Sequence, residues 1–306
     1  MSSHDPDQQW TIGQILQWSA RYFQEKKLPT GRLDAELLLS KVLRCERIGL
    51  YTSFEKPLSK EERDSFRSLL VRRAQGEPIA YILGSKEFMG RDFSVSPAVL
   101  IPRPETEFVV EEALAIVKTF PLIHKIRILD VGSGSGCIIL SIALSCKQIL
   151  PETAQDVHCV AWDISKEALV VLNENANLLG VSNVEAKLCD ALNDESWAQE
   201  GEEEKFDLVV SNPPYVSESE YATLERSILF EPKGALVAKD NGLEFYSSIA
   251  RNAPKLLRKN GSIVLEIGAT QRSSVSDILR SQGWKQITVK KDYGKHDRII
   301  VSSHSI

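Results

Sequence analysis

The chain has 306 residues, about twice a common single-domain length, so one large domain or two ordinary ones are expected. It is 42% hydrophobic and 26% charged, a globular balance that excludes disorder, collagen and low-complexity repeats. With 37 Lys and Arg against 42 Asp and Glu the net charge is −5, so bulk charge gives no sign of a nucleic-acid binder. Residues 1–90 hold 14 Lys and Arg against 12 Asp and Glu, and residues 91–306 hold 23 against 30. That asymmetry is mild, and it points to a division near residue 90.

The cysteines (Cys45, Cys137, Cys146, Cys159 and Cys189) are odd in number and form no C-x-x-C pair. Neither a disulfide framework nor a zinc site has the needed spacing, so reduced, packed thiols and no metal are expected. The polar, acidic start Met1–Asp7 reads as neither a secretory nor a transit signal. The longest apolar run, Cys137–Cys146, is interrupted by serines and is about half the ~20 residues needed to cross a bilayer. A cytoplasmic location and no membrane association are expected.

In chain order, Ile12, Ile15, Leu16, Ser19, Tyr22 and Phe23 make one apolar stripe on a helix over about 10–25. Pro29-Thr30-Gly31 interrupts it, and Leu33, Leu37, Leu38, Val42 and Leu43 outline a second helix. Ser59 with Glu62 has capping-box spacing and opens a third, with Phe66, Leu69, Leu70 and Arg73 on one face and Gly76-Glu77-Pro78 as its stop. Residues 86–103 alternate about Gly90-Arg91 as a short β-hairpin and then stiffen at Pro97, Pro102 and Pro104. This segment reads as a connector. Pro104 with Glu105 and Glu107 is a helix start.

From about residue 125 strands and helices alternate. Strands are expected at 127–131, 157–162, 184–188, 206–210 and 262–267, with helices at 137–147, 165–179 and 243–258. Residues 284–289 and 298–301 read as a closing antiparallel pair, and 200–204 as a short acidic turn. The pattern implies an α/β fold with a largely parallel sheet covered on both faces. The expected domains are helical residues 1–85, a hairpin linker at 86–103 and an α/β domain at 104–306.

Gly132, Gly134 and Gly136 sit where a strand turns into a helix. Glycines there serve a tight turn with φ > 0, or a close approach of backbone N–H groups to a ligand. A nicotinamide fingerprint needs G-x-G-x-x-G, whereas the third glycine comes one residue early and Cys137 stands in its place. Asp163, 27 residues beyond Gly136, is also far for that fingerprint's ribose acid. No Gly-Lys-Ser/Thr follows, which excludes a phosphate loop. What remains is Asp130-x-Gly-x-Gly-x-Gly136 with Asp163 at the end of the next strand. An ionised carboxylate there can accept both hydroxyls of a ribose. Asp163 can also cap the helix that follows, and the two roles are compatible.

Asn212-Pro213-Pro214-Tyr215 directly follows another strand, 76 residues after the loop. Asn-Pro and Pro-Pro are turn formers, so the tetrapeptide alone is ambiguous. At the carboxyl end of a strand in the same sheet it suits a planar NH2 group, which has two donors and a delocalised lone pair. The Asn212 side chain and the Pro213 backbone each offer a carbonyl to such donors. Prolines add no competing N–H, and a tyrosine ring can lie against a planar group.

These segments resemble the S-adenosylmethionine-dependent methyltransferases that act on amide or exocyclic amino nitrogens. More narrowly, the chain resembles the bacterial peptide chain release factor N5-glutamine methyltransferases, the PrmC/HemK family. The resemblance includes Arg32-Leu-Asp-Ala-Glu-Leu-Leu-Leu39, Gly76-Glu-Pro-Ile-Ala80, Phe93-Ser-Val-Ser-Pro97, Leu100-Ile-Pro-Arg-Pro-Glu-Thr-Glu107, Glu231-Pro232 with Ala235-Leu236, and Asp292-Tyr-Gly294 with Asp297-Arg298. Asn-Pro-Pro-Tyr by itself is shared with nucleic-acid adenine methyltransferases, whereas the 100–107 segment together with the N-terminal helices is far more specific.

The resemblance implies a Rossmann-like methyltransferase sheet with an N-terminal helical bundle that recognises substrate. It implies that Asp130, Gly132, Ser133, Gly134, Ser135 and Gly136 hold the methionine part of the cofactor, that Asp163 binds its ribose and that Asp190 and Ala191 border its adenine. Some relatives carry an aromatic residue where Ala191 stands, so an adenine-stacking contact is absent there or falls to Leu192. Asn212, Pro213, Pro214 and Tyr215 then hold the glutamine amide, with Asn212, Pro213 and Tyr215 catalytic and Asn212 also touching the cofactor. Residues Arg103 to Glu107 lie beside the site in a supporting role. The implied reaction moves a methyl group from S-adenosylmethionine, leaving S-adenosylhomocysteine, to the glutamine of the Gly-Gly-Gln motif in class I release factors. Direct contact with nucleic acid or membrane is not expected. The rivals are the same chemistry on a ribosomal protein and adenine-N6 methylation of nucleic acid. The acidic balance after residue 90 speaks against the second.

Overall fold

The computed structural model describes residues 10–120, 125–151, 156–201 and 204–304. Residues 1–9, which carry the expected absence of a leader, and residues 202–203 of the acidic turn lie outside these. Contacts divide the chain into two units, one running to Gly84 and including Arg226–Phe230, the other formed by Ser85–Glu225 and Glu231 onward.

The first unit is helical: α1 (Ile12–Glu25), α2 (Gly31–Leu43), α3 (Arg47–Thr52), α4 (Lys60–Ala74) and α5 (Ile79–Leu83). The expected stripe of α1 is buried at Ile12, Ile15, Leu16, Ser19 and Phe23, and its start is closed by a Thr11–Gln14 capping box. Ser59 and Glu62 form the box that opens α4, each side chain bonded to the other's backbone N–H at 3.1 and 2.7 Å. Arg73, on the apolar face of α4, is buried because Asp34 of α2 meets its Nε at 2.7 Å. The short helices α3 and α5 were not expected, since six and five residues hold too few turns to show a period.

The second unit opens with the hairpin β1 (Ser85–Phe88) and β2 (Arg91–Ser94), followed by a 3₁₀ turn at Pro104–Thr106. It continues through α6 (Glu107–Val117), β3 (Ile126–Val131), α7 (Cys137–Ile149), β4 (Val157–Asp163), α8 (Lys166–Leu178) and β5 (Val184–Leu188). Then come α9 (Asp194–Gly201), β6 (Phe206–Ser211), α10 (Glu218–Tyr221), α11 (Lys239–Gly242), α12 (Glu244–Leu256) and β7 (Leu257–Glu266). It closes with α13 (Arg272–Ser281), β8 (Lys285–Lys291) and β9 (Asp297–Ser303).

The seven-stranded sheet has the order β5-β4-β3-β6-β7-β9-β8, with β9 antiparallel to both neighbours and the other pairs parallel. Alternation sends Ile128 and Val210 to the face covered by α6, α7 and α8, and Leu129, Val131 and Trp162 to the face packed with Trp197 and Tyr246. The segment read as a linker is part of this unit: Phe88 and Phe93 are buried in its core, and the Met89 N–H donates to Glu107 of α6 at 2.8 Å. Two large aromatic side chains facing an apolar layer make the hairpin a lid on the core, with about 25 cal/mol per Å² of buried apolar surface favouring it. Burial pushes the thiols of Cys137 and Cys146 up to about 12, which keeps them unreactive. Among the described residues no helix is long and apolar enough to cross a membrane.

Candidate active site

The chain builds β4 and β5 on one side of β3, then returns to lay β6 on the other. Such a reversal opens a crevice at the carboxyl ends of the strands. A cavity of about 270 Å³ lies there, lined by Gly132, Ser133, Gly134, Ser135, Asp163, Asp190, Ala191, Asn212, Pro213 and Pro214 among others. Asp130, Gly136 and Tyr215 are not on its wall.

The glycine loop is held by its own backbone. Gly132 and Ser133 N–H both donate to Trp162 O at 2.9 Å, and Gly134 N–H donates to Asp163 Oδ2 at 2.8 Å. Gly132 and Gly134 take φ of +76° and +54°, and a Cβ at either would meet nothing within 4 Å. Glycine is needed there for conformation, and the space beside the backbone stays open to a ligand. Gly136, at φ +78°, serves conformation and packing together, because a Cβ on it would also lie 2.8 Å from Leu172 Cγ. Asn175 of α8 ties loop to hairpin: its Nδ2 donates to Ser135 O at 2.9 Å and Ser94 O at 3.0 Å, and its Oδ1 accepts Ser94 N–H at 2.7 Å.

Asp163 does not cap α8. Ser165 does, with its hydroxyl accepting Ala168 N–H at 3.1 Å, while Asp163 Oδ1 accepts Ser165 N–H at 2.9 Å. The side chain thus turns back toward the loop, and each carboxylate oxygen keeps a second lone pair. Burial raises its pKa, opposed by the backbone N–H groups of Ser165 and Gly134. Asp130, on β3 beneath the loop, is fully buried with neither carboxylate oxygen hydrogen-bonded. Burial, opposed by the nearby Ser133 side chain and Ile139 N–H and reinforced by the Asp163 charge, pushes Asp130 up to about 7. A cationic ligand in the adjacent cavity would relieve that cost. On the far wall Ala191 O accepts from Trp197 Nε1 at 2.9 Å and Ser248 Oγ at 2.6 Å, and Asp190 Oδ1 accepts Leu192 N–H at 2.8 Å.

Asn212 sits over a buried polar relay. Its Nδ2 donates to Thr106 Oγ1 at 3.1 Å, and Thr106 Oγ1 donates to Glu266 Oε2 at 2.7 Å. Tyr215, expected to lay its ring against substrate, stands behind the cavity wall with its hydroxyl donating toward Glu266 Oε1 at 3.4 Å. The reason is physical: a buried carboxylate draws donors. Gln271 Nε2 holds Tyr215 O at 3.0 Å, and Gly242 leaves room for that carbonyl, which a Cβ would meet at 2.1 Å. Arg103 pairs with Glu231, whose other oxygen accepts Ile101 N–H at 3.0 Å, so both stiffen the strap that delivers Thr106. Sequence reasoning missed Glu266 and Asn175 as site residues. An acid closing an apolar strand was the available signal for Glu266, the same signal that marked Asp163.

Residues 14–84 match the PrmC N-terminal domain, and residues 123–295 match a methyltransferase domain. The release factor glutamine methyltransferase of Chlorobaculum tepidum is 42% identical over 94% of this chain and 96% of that protein. The protein of the same name from Geobacter sulfurreducens is 38% identical over 95% and 96%. A solved structure of a release factor-specific protein-(glutamine-N5) methyltransferase from Alicyclobacillus acidocaldarius is 28% identical, aligned over 70% of this chain and all of that one with a TM-score of 0.42. With relatives this similar matched nearly end to end on both sides, the chain belongs to the release factor glutamine methyltransferase family.

Proposed function

We propose that this chain methylates the side-chain amide nitrogen of the glutamine in the Gly-Gly-Gln motif of class I release factors, using S-adenosylmethionine. The observation that carries the reading is Asn212-Pro213-Pro214 beside the glycine loop, with the NH2 of Asn212 tied back onto Thr106. An orphaned carboxylate at Asp130 and the open cradle at Gly132 and Gly134 fit a ligand with an ammonium group and a sulfonium. In this reading Asp130 and the loop Gly132–Gly136 hold the methionine part, Asp163 the ribose hydroxyls, and Asp190, Ala191 and Leu192 the adenine. Residues 1–85 recognise the release factor, and the hairpin belongs with the catalytic part. The enzyme works in the cytoplasm and needs neither nucleic acid nor membrane.

When bound, the cofactor supplies an electrophilic methyl carbon on sulfur. Asn212 Oδ1 and the Pro213 carbonyl each accept one N–H of the substrate amide, which fixes its plane and aims the nitrogen lone pair. Positive charge appears on that nitrogen during transfer, and the two oxygens stabilise it through dipoles already oriented. The proton released from nitrogen leaves along one of these hydrogen bonds to water, so no strong base is required.

The test is to incubate purified enzyme and cofactor separately with release factor, ribosomal protein and DNA, and to map products by tandem mass spectrometry. One added methyl on the Gly-Gly-Gln glutamine is expected. Asn212→Ala should lower that rate on the order of 10²-fold or more while the chain stays folded. Methylated adenine, or transfer to the ribosomal protein alone, would assign the activity to the corresponding rival.

A further inference from the structure

A carboxamide serves a substrate N–H only with its oxygen turned toward it, yet flipping it exchanges acceptor for donors at little steric cost. The hydrogen bonds behind Asn212 decide the sense. Asn212 Nδ2 is 3.1 Å from Thr106 Oγ1, which is 2.7 Å from Glu266 Oε2. A threonine hydroxyl has one proton, and an ionised carboxylate has none to give. Thr106 therefore donates to Glu266 and meets Asn212 as an acceptor only, which admits the NH2 end and repels the C=O end. We propose that Thr106 and Glu266 are positioning residues that lock the Asn212 carboxamide with Oδ1 presented to the substrate nitrogen, an inference that rests on the amide-methylation reading.

Glu266 is fully buried. Facing it are the Tyr215 hydroxyl, Glu105 of the turn before α6, Arg298 of β9, Tyr246 of α12 and Cys137 of α7. Burial pushes the carboxyl up to about 7, against the Thr106 hydroxyl, Arg298 and the Tyr215 hydroxyl, which favour the charged form, and with the Glu105 charge adding to it. Once protonated, Glu266 can donate to Thr106, whose own proton is then free to point at Asn212. The carboxamide loses its fixed sense, so turnover falls as pH drops through about 7.

The experiment measures release factor methylation at saturating cofactor from pH 5.5 to 9 for the wild type, Thr106→Val, Thr106→Ser and Glu266→Gln. Thr106→Val should lower kcat roughly tenfold or more with the cofactor KM within about threefold of wild type, and Thr106→Ser should restore most of the rate. The acidic limb of the wild type should be absent in Glu266→Gln. NMR of the Asn212 side-chain NH2 reads the lock without turnover: its resonances should shift with a midpoint near 7 in the wild type and stay still in Glu266→Gln. An unchanged kcat in Thr106→Val, a Thr106→Ser variant as slow as Thr106→Val, or a shift that persists in Glu266→Gln would overturn the lock. A wild type that methylates no glutamine would sink the functional reading instead, and the resonances would still decide the lock.

Discussion

In the helical unit Asp34 lies 2.7 Å from Arg73, and Glu36 is met by Arg32 at 2.6 Å and Arg47 at 2.7 Å, so each buried carboxylate has a guanidinium. The amino-terminal side of the sheet follows the same rule, with Asp207 of β6 paired to Arg258 at 3.0 Å. At the carboxyl ends of β3, β4 and β7, beneath the cavity, it is reversed. Neither carboxylate oxygen of Asp130 has a hydrogen-bond partner among the described residues, Glu266 has two hydroxyls, and Asp163 has backbone N–H groups. A buried charge without a counter-ion is costly, so it persists where a ligand or a reaction compensates it. Matched carboxylates hold the fold together, and unmatched ones cluster at the cavity to which the proposed function assigns the cofactor and the amide.

Three measurements break or sharpen this contrast. The largest effect belongs to the matched pair. Asp34→Ala leaves Arg73, whose side chain is only 11% exposed, without its counter-ion, and should cost about 3–5 kcal/mol in urea unfolding. A loss below about 1 kcal/mol would mean that the pair is not what stabilises the helices.

Glu266 should behave in the opposite sense. Its folded pKa is raised, so its contribution to stability is fully present below the unfolded value and lost as pH rises through about 7. Glutamine does not ionise. Glu266→Gln should therefore be more stable than the wild type at pH 8, by roughly 3 kcal/mol at most, and equal to it near pH 4.5. Equal stability at both pH values would show that Glu266 is not held near 7. The same variant is expected to lose the acidic limb of its activity profile, which separates what stabilises this residue from what uses it.

The smallest effect is a proton. A cation bound beside Asp130 lowers a carboxyl now held near 7, so binding S-adenosylhomocysteine at pH 7 should release on the order of half a proton. Calorimetry in buffers of different ionisation enthalpy measures this, and Asp130→Asn should abolish it. No release from the wild type would place the ligand's positive charge away from Asp130.

The alternation of strand and helix, the capping box at Ser59 and the apolar stripe of α1 were legible in the residues, because each depends on neighbours a few positions away. The helix expected to reach residue 258 ends at Leu256, and β7 begins at once rather than at 262. The meeting of the glycine loop, Asp163 and Asn212 at one cavity was legible for the same reason, each being carried by contiguous residue types at a strand's end. Helix α9 went unseen although Trp197 on it supports Ala191, since eight residues with one large apolar side chain show no period.

By itself, the sequence determined the alternation of strands and longer helices, the family, and the placing of the glycine loop, Asp163 and Asn212 at the ends of strands. Only the tertiary structure decided that the hairpin is core rather than linker, that Tyr215 stands behind the wall, and that Thr106 and Glu266 lie under Asn212. The bond from Thr106 to Glu266 spans 160 residues and that from Ser94 to Asn175 spans 81. A motif declares what a side chain can donate or accept, but whether a buried acid is matched or left near neutrality depends on groups brought beside it from elsewhere in the chain.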